Sequence, residues 1–361
     1  MQLPTHGANP HTLYKSMGMT VPTSIIDFSE NSNPLGPPSI VKERWIEWQT
    51  AISYYPDPGG NQLREKIASF HDVQPDQVLL GNGAAELMMV TARLFQGKKV
   101  GVIHPAFSEY EKVIRVNGGI IQRFYTTEEI NWVANDDEIM SFLAKGHALF
   151  LCNPSNPTGL TIPRETLKKW LDQAIRFHAT ILLDEAFIDM IGEEHSMTDY
   201  VGRESLLIFR SMTKMYSIAG LRLGYMLGEK SRIAEISELL PHWNVNALSL
   251  LAGAVVLEDE SFRQTTKAYI KNERTRIFEE WKKLGFTFSN SATNYYLLQP
   301  PHPAQTEELF KWLLKHGFVL RHTHNYEGLD GRWLRVGIKT IEQNDRLIQA
   351  VKAWTQEQSL L

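Results

Sequence analysis

Apolar residues recur at helical spacing over Gln62–Phe70, Ala84–Phe95 and Glu109–Val116, and between these stretches lie short runs that are apolar almost throughout, Val78–Leu80, Lys99–Ile103 and Ile120–Tyr125. The exchange continues through strand-like Ala148–Cys152, Thr180–Leu183, Ser205–Arg210 and Leu223–Leu227. Strands that carry apolar residues on both faces and are separated by helices predict a mostly parallel sheet covered on both sides, a three-layer α/β/α unit. After Gly228 the pattern changes. Long helical repeats at Ser231–Leu240, Ala247–Leu257 and Ser261–Leu284 lead to short strand-like runs around Phe286–Phe288, Tyr295–Leu298, Val319–Leu320 and Trp333–Val336, with helical Thr306–His316 and Ile341–Gln356. This predicts a smaller α+β unit. The division read from these shifts is an arm over residues 1–30 that packs with the small unit, a large unit over 31–245 and the small unit over 246–361.

Composition narrows the classes. A chain of 361 residues exceeds the usual size of one compact core, in keeping with two units. With 37 basic and 41 acidic residues and a formal charge of −4, no stretch interleaves Lys and Arg with aromatics as a nucleic-acid surface would, so no nucleic-acid partner is expected. Cys152 is the single cysteine, so no intramolecular disulfide can form. Its place at the end of an apolar run marks it as a packing residue rather than a nucleophile. The first ten residues lack the basic and apolar regions of a signal peptide, and Ala247–Leu257 is too short to span a bilayer. A soluble cytoplasmic protein without a membrane partner or a metal is expected.

Chemistry gathers where three of the strands end. Ala148–Cys152 leads into Asn153-Pro-Ser-Asn156-Pro-Thr-Gly159, and Thr180–Leu183 leads into Asp184-Glu-Ala-Phe187. Ser205–Arg210 leads into Ser211-Met-Thr-Lys214, continuing to Gly220-Leu-Arg222-Leu-Gly224. Carboxyl ends of strands are where open α/β sheets bind ligands. An amine (Lys214), a carboxylate (Asp184), an amide donor (Asn156) and an anion cup (Ser211 with Arg222) are together what pyridoxal 5′-phosphate requires for its aldehyde, pyridine nitrogen, phenolic oxygen and phosphate. A further turn, Gly81-Asn-Gly83-Ala84-Ala85, opens a helix after a strand and suits close approach of an anion to backbone N–H groups.

In this order and spacing the motifs resemble the class I and II aminotransferase family of fold-type-I pyridoxal-phosphate enzymes, and the resemblance covers nearly the whole chain. It implies that Lys214 carries the cofactor and that Ser211, Arg222 and the main chain at Gly83, Ala84 and Ala85 hold its phosphate. It implies further that Asp184 faces the pyridine nitrogen, that Asn156 serves the phenolic oxygen and borders the substrate, and that Phe107 stacks on the ring. Tyr55 matches a tyrosine that reaches the cofactor phosphate of the neighbouring subunit, which implies a homodimer with shared active sites. Arg335 matches the arginine that takes the substrate α-carboxylate. One departure is Phe187, where tyrosine is common, so the phenolic oxygen loses a donor.

Within the family the chain resembles two branches that act on phosphorylated amino compounds, the L-threonine-O-3-phosphate decarboxylases of the cobalamin pathway and the histidinol-phosphate aminotransferases. His6-Gly-Ala-Asn9, Phe187, the run from Ser211 to Tyr225, and Arg321 followed by Asn325-Tyr-Glu-Gly-Leu329 favour the first. Carried over, His6 and Arg321 hold the substrate phosphate. With Arg335, the two arginines then suit a substrate with two anionic ends. A third reading, a regulator of this fold without turnover, would add a DNA-binding module, for which the pattern has no segment.

Overall fold

In the computed structural model, which describes residues 3–359, seven strands form a large sheet. Their order is Val78–Gly81, Gly224–Gly228, Leu206–Ser211, Thr180–Asp184, Ala148–Cys152, Lys99–His104 and Ile120–Tyr125. Gly224–Gly228 runs against both neighbours, and every other pairing is parallel. The near-continuous apolar runs are explained by burial on both faces. Leu149, Leu151, Ile181, Leu183 and Ile208 enter one core cluster, while Ala148, Phe150, Leu182, Leu207 and Phe209 enter another on the opposite side. The helices that cover the sheet are amphipathic in the expected way: Arg164–Arg176 buries Leu167, Trp170, Leu171 and Ala174 at helical spacing. Ile120–Tyr125 is one of the two edge strands and leaves Ile120 and Tyr125 about half exposed. The architecture is the expected one, a three-layer α/β/α large unit with a smaller α+β unit.

The smaller unit is built on an antiparallel sheet ordered Arg321–His322, Leu334–Gly337, Tyr295–Gln299, Thr287–Phe288. The run read as one strand at Val319–Leu320 divides between two sheets. Phe318–Val319 pairs in parallel with Ile26–Asp27, whereas Arg321–His322 pairs with Leu334–Gly337. The N-terminal segment is thereby tied to this unit. Leu13, Tyr14, Ile26 and Phe28 share its core with Trp281, Leu309 and Trp354, and the Tyr14 hydroxyl donates to the Leu314 carbonyl at 2.7 Å.

Helix Ala247–Val256 departs from the division expected at 245/246. Ala252, Ala254 and Val256 lie in the core of the large unit, and Gly253 lets the helix sit so close that a Cβ there would come within 2.5 Å of Leu223. A helix apolar nearly all round needs cover on several sides, and the large unit provides it. Among the described residues no helix is long and apolar enough to cross a membrane.

Candidate active site

Strands Ala148–Cys152, Thr180–Asp184 and Leu206–Ser211 are neighbours in the sheet, so their polar ends converge. Asp184 stands opposite Cys152 on one side and Phe209 on the other. Ser211 pairs with Gly224, which in turn pairs with Gly81. This brings the turn at Gly83 beside the serine. The close approach requires glycine twice: a Cβ on Gly224 would meet the Ala84 nitrogen at 2.4 Å, and Gly83 has φ +80° with Arg222 Nη2 2.7 Å from where its Cβ would be.

A cavity of about 330 Å³ lies above these strand ends. Lys214, Asp184, Asn156, Phe107, Gly83, Ala84, Ala85, Ser211, Arg222, His6, Arg321 and Arg335 all line it. Of the residues read as the site, Tyr55 alone lies apart from the cavity. It is 83 % exposed and packs on Trp243 with ring centroids 4.8 Å apart.

The charges inside are arranged under tension. Asp184 is buried and its pKa is raised from 3.8 to about 6, chiefly by burial, against the opposing pull of a 2.5 Å bond from the Tyr110 hydroxyl, a 3.0 Å bond from the Ala186 N–H and the charge of Lys214. Lys214 is lowered from 10.5 to about 8, first by burial and then by Arg335 and Arg222. Its Nζ lies 5.8 Å from the centre of the Phe187 ring, and among the described residues it forms no ion pair with a carboxylate. Ser211 and Thr213 share a hydroxyl contact at 2.8 Å. Beside them, Ala84 and Ala85 present the first two N–H groups of helix Ala84–Thr91, which have no acceptor within the helix.

The opposite wall is cationic. Arg335 Nη1 donates to Asn156 Oδ1 at 2.8 Å and Nη2 to the Ser29 carbonyl at 2.6 Å. Arg321 Nη2 donates to the Thr5 carbonyl and to Asn325 Oδ1, both at 2.6 Å. Burial lowers the Arg321 pKa to about 10. Both arginines are buried, and among the described residues all their polar contacts are to neutral groups. Arg321 and Arg335 also face each other directly across two antiparallel strands. Like charges so placed are destabilising unless an anion joins them. His6 stands at the mouth, its Nε2 3.1 Å from Glu109 Oε1 and its ring 5.6 Å from Phe107.

Residues beyond those read from the sequence also take part. Tyr110 holds Asp184, Tyr326 touches both Arg335 and Asn156, and Ser29 to Ser32 line the cavity floor after the first short strand. Tyr110 follows Phe107 by three residues and Tyr326 lies in the Asn325–Leu329 motif, but neither position carries a local signal of the contact it makes. Cys152 is half-buried, its thiol 3.0 Å from the Pro154 carbonyl, consistent with a packing role.

Residues 23–351 match the aminotransferase class I and II family. The chain belongs to this family. It is 33 % identical over 350 residues to the threonine-phosphate decarboxylase of Salmonella typhimurium, spanning 96 % of this chain and 95 % of that protein. The crystal structure of the histidinol-phosphate aminotransferase from Clostridium acetobutylicum is similar with a TM-score of 0.86 at 29 % identity, over 91 % of this chain and 99 % of that one. A fold likeness at 19 % identity and TM-score 0.85 extends to the Sinorhizobium meliloti histidinol-phosphate aminotransferase in complex with pyridoxal 5′-phosphate, over 96 % of this chain and 95 % of that one. Pyridoxal 5′-phosphate is the cofactor of this enzyme family, and the lining fits it. An amine with no ion-paired carboxylate among the described residues, a buried acid, and hydroxyls beside the N–H groups that open a helix stand in one cavity.

Proposed function

We propose that this enzyme decarboxylates L-threonine-O-3-phosphate to (R)-1-aminopropan-2-yl phosphate, a reaction of cobalamin assembly. The observation that carries the reading is the directly opposed pair Arg321 and Arg335, both buried, both without an acidic partner among the described residues and both lining the cavity that holds Lys214. One guanidinium suits a carboxylate and the other a phosphate, each through paired N–H donors. L-threonine-O-3-phosphate carries both groups. The similarity to the Salmonella typhimurium decarboxylase supports the same substrate.

Bound in this cavity, pyridoxal 5′-phosphate would supply an aldehyde for the substrate amine and an electron sink for Cα. In this reading the residues of the chain do the remaining work. Ser211, Thr213, Arg222 and the N–H groups at Gly83 to Ala85 hold the cofactor phosphate, Asp184 keeps the pyridine nitrogen protonated, and Phe107 packs against the ring. Lys214, with its pKa lowered to about 8, can give up and take back a proton close to neutral pH. Arg335, steadied by Asn156 and Tyr326, would hold the carboxylate, while Arg321 and His6 would receive the phosphate.

Tyr55 completes the site from a second subunit in this reading. The surface around it is unusually apolar for one exposed to water, with Ile46 at 79 % exposure, Ile52 at 72 % and Tyr54 at 75 %. Burial of such a face against a second copy would account for it.

The 29 % identity to a histidinol-phosphate aminotransferase supports the competing reaction, in which Arg335 would serve the amino acceptor. Incubating the loaded enzyme with O-phospho-L-threonine, and separately with histidinol phosphate and 2-oxoglutarate, tests the choice. Carbon dioxide release from the first is expected; glutamate from the second without carbon dioxide from the first would replace the decarboxylase by the aminotransferase.

A further inference from the structure

Arg321 and Arg335 leave the same face of their sheet from directly paired positions, which puts their Cβ atoms only about 5 Å apart. Left alone, two buried guanidiniums at that spacing repel each other and turn apart, and the distance between the anions they bind is undefined. One side chain lies between them. The Tyr326 ring sits under Arg321, whose guanidinium carbon is 5.4 Å from the ring centre, and the Tyr326 hydroxyl accepts from Arg335 Nη1 at 3.2 Å. The same hydroxyl lies 3.5 Å from Asn156 Oδ1, which Arg335 also reaches.

Tyr326 is itself held firmly. It is 3 % exposed and packs with Leu297, Leu329 and Trp333. Its N–H donates to the Thr323 carbonyl and its carbonyl accepts from Leu329, each at 3.0 Å. The ring face carries partial negative charge and attracts a cation, so it fixes the plane of Arg321 as well as screening it from Arg335.

We propose that Tyr326 is a specificity-determining residue that sets the length of the dianionic substrate, by holding the two arginines at one separation. This rests on the reading that Arg321 and Arg335 take the two anionic ends. It predicts that the enzyme accepts O-phospho-L-serine and O-phospho-L-threonine, whose backbones place the two anions alike, and rejects O-phospho-L-homoserine, which is one methylene longer.

The test compares the holoenzyme with Tyr326→Phe and Tyr326→Met. Phenylalanine keeps the ring and loses the hydroxyl; methionine keeps most of the apolar volume among Leu297, Leu329 and Trp333 but has no ring face. Binding of each phosphorylated amino acid is titrated through the visible absorbance of the bound cofactor, and kcat and KM are measured from carbon dioxide release. The parent should favour phosphothreonine over phosphohomoserine by at least about tenfold, the discrimination that one misplaced methylene produces. In Tyr326→Met that ratio should collapse towards one, through a rise in KM for phosphothreonine with kcat less affected. In Tyr326→Phe the ratio should persist while both compounds bind more weakly. A parent that binds neither phosphorylated amino acid would overturn the assignment of the two arginines. A parent that binds them, with a length preference equal in Tyr326→Met, would leave that assignment standing and overturn the role of Tyr326.

Discussion

Replacing Asp184 by asparagine separates what the carboxylate costs the empty fold from what it contributes to the loaded one. The side chain is 5 % exposed, and burial raises its pKa from 3.8 to about 6 despite the Tyr110, Ala186 and Lys214 interactions that lower it. The folded state therefore binds a proton more tightly than the unfolded chain between those two values. Stability falls as pH rises through this window and stays at the lower level above it. A shift of about two units corresponds to about 3 kcal/mol at pH 7, and to less than about 1 kcal/mol at pH 4, where the folded group is already protonated. Asparagine preserves the geometry without the charge. Its oxygen can accept from the Ala186 N–H, and the Tyr110 hydroxyl can turn to accept from the amide NH₂.

The assay is urea unfolding of cofactor-free parent and Asp184→Asn at pH 7 and pH 4, with turnover of the loaded enzymes measured alongside. At pH 7 the variant should be the more stable, by up to about 3 kcal/mol, and at pH 4 the difference should nearly vanish. Turnover should drop sharply, because an amide cannot hold the pyridine nitrogen in its protonated form. A parent that is the more stable at pH 7, or a difference that is the same at both pH values, would refute the claim that the fold keeps an ionised carboxylate here against its own stability.

Four further outcomes are expected. Borohydride reduction of the loaded enzyme followed by peptide mapping should find the cofactor on Lys214, and an adduct on another lysine removes the assignment. Mixing Lys214→Ala chains with Tyr55→Phe chains should restore part of the activity that each lacks, since a heterodimer has one site with both native residues; no recovery, with a monomeric mass in solution, counts against shared sites. Phe187→Tyr adds a donor near Lys214, where the Phe187 ring now packs edge-on to Tyr295 with centroids 4.7 Å apart. The visible titration of the bound cofactor should therefore move to lower pH, and an unchanged midpoint means that the phenolic oxygen already has another donor. Arg321→Ala should raise KM for O-phosphothreonine, by about 1.5–3 kcal/mol for each charged hydrogen bond lost, and leave the weak reaction of unphosphorylated threonine nearly unchanged.

The strand-end residues were legible in the sequence because each is attached to a local pattern. Lys214, Asp184 and Asn156 directly follow apolar runs whose burial on both faces fixes them as parallel strands, and parallel strands bring their carboxyl ends to one side. What no local pattern records is the partner that arrives from elsewhere in the chain. Tyr110 reaches Asp184 from 74 residues away, and its position in helix Glu109–Val116 looks the same whether it fills a core or bonds a carboxylate. Tyr326 touches Arg335 only because Thr323 and Leu329 pin the intervening turn. The packing of helix Ala247–Val256 against the large unit has the same origin, since a helix apolar on all sides gives no indication of which core will cover it. Residues that line the cavity at the strand ends are thus displayed by the periodicity of the strands that carry them. Residues that set the charge and spacing of those contacts emerge only from packing, which explains why a motif reading identifies the family's chemistry more readily than the substrate on which it acts.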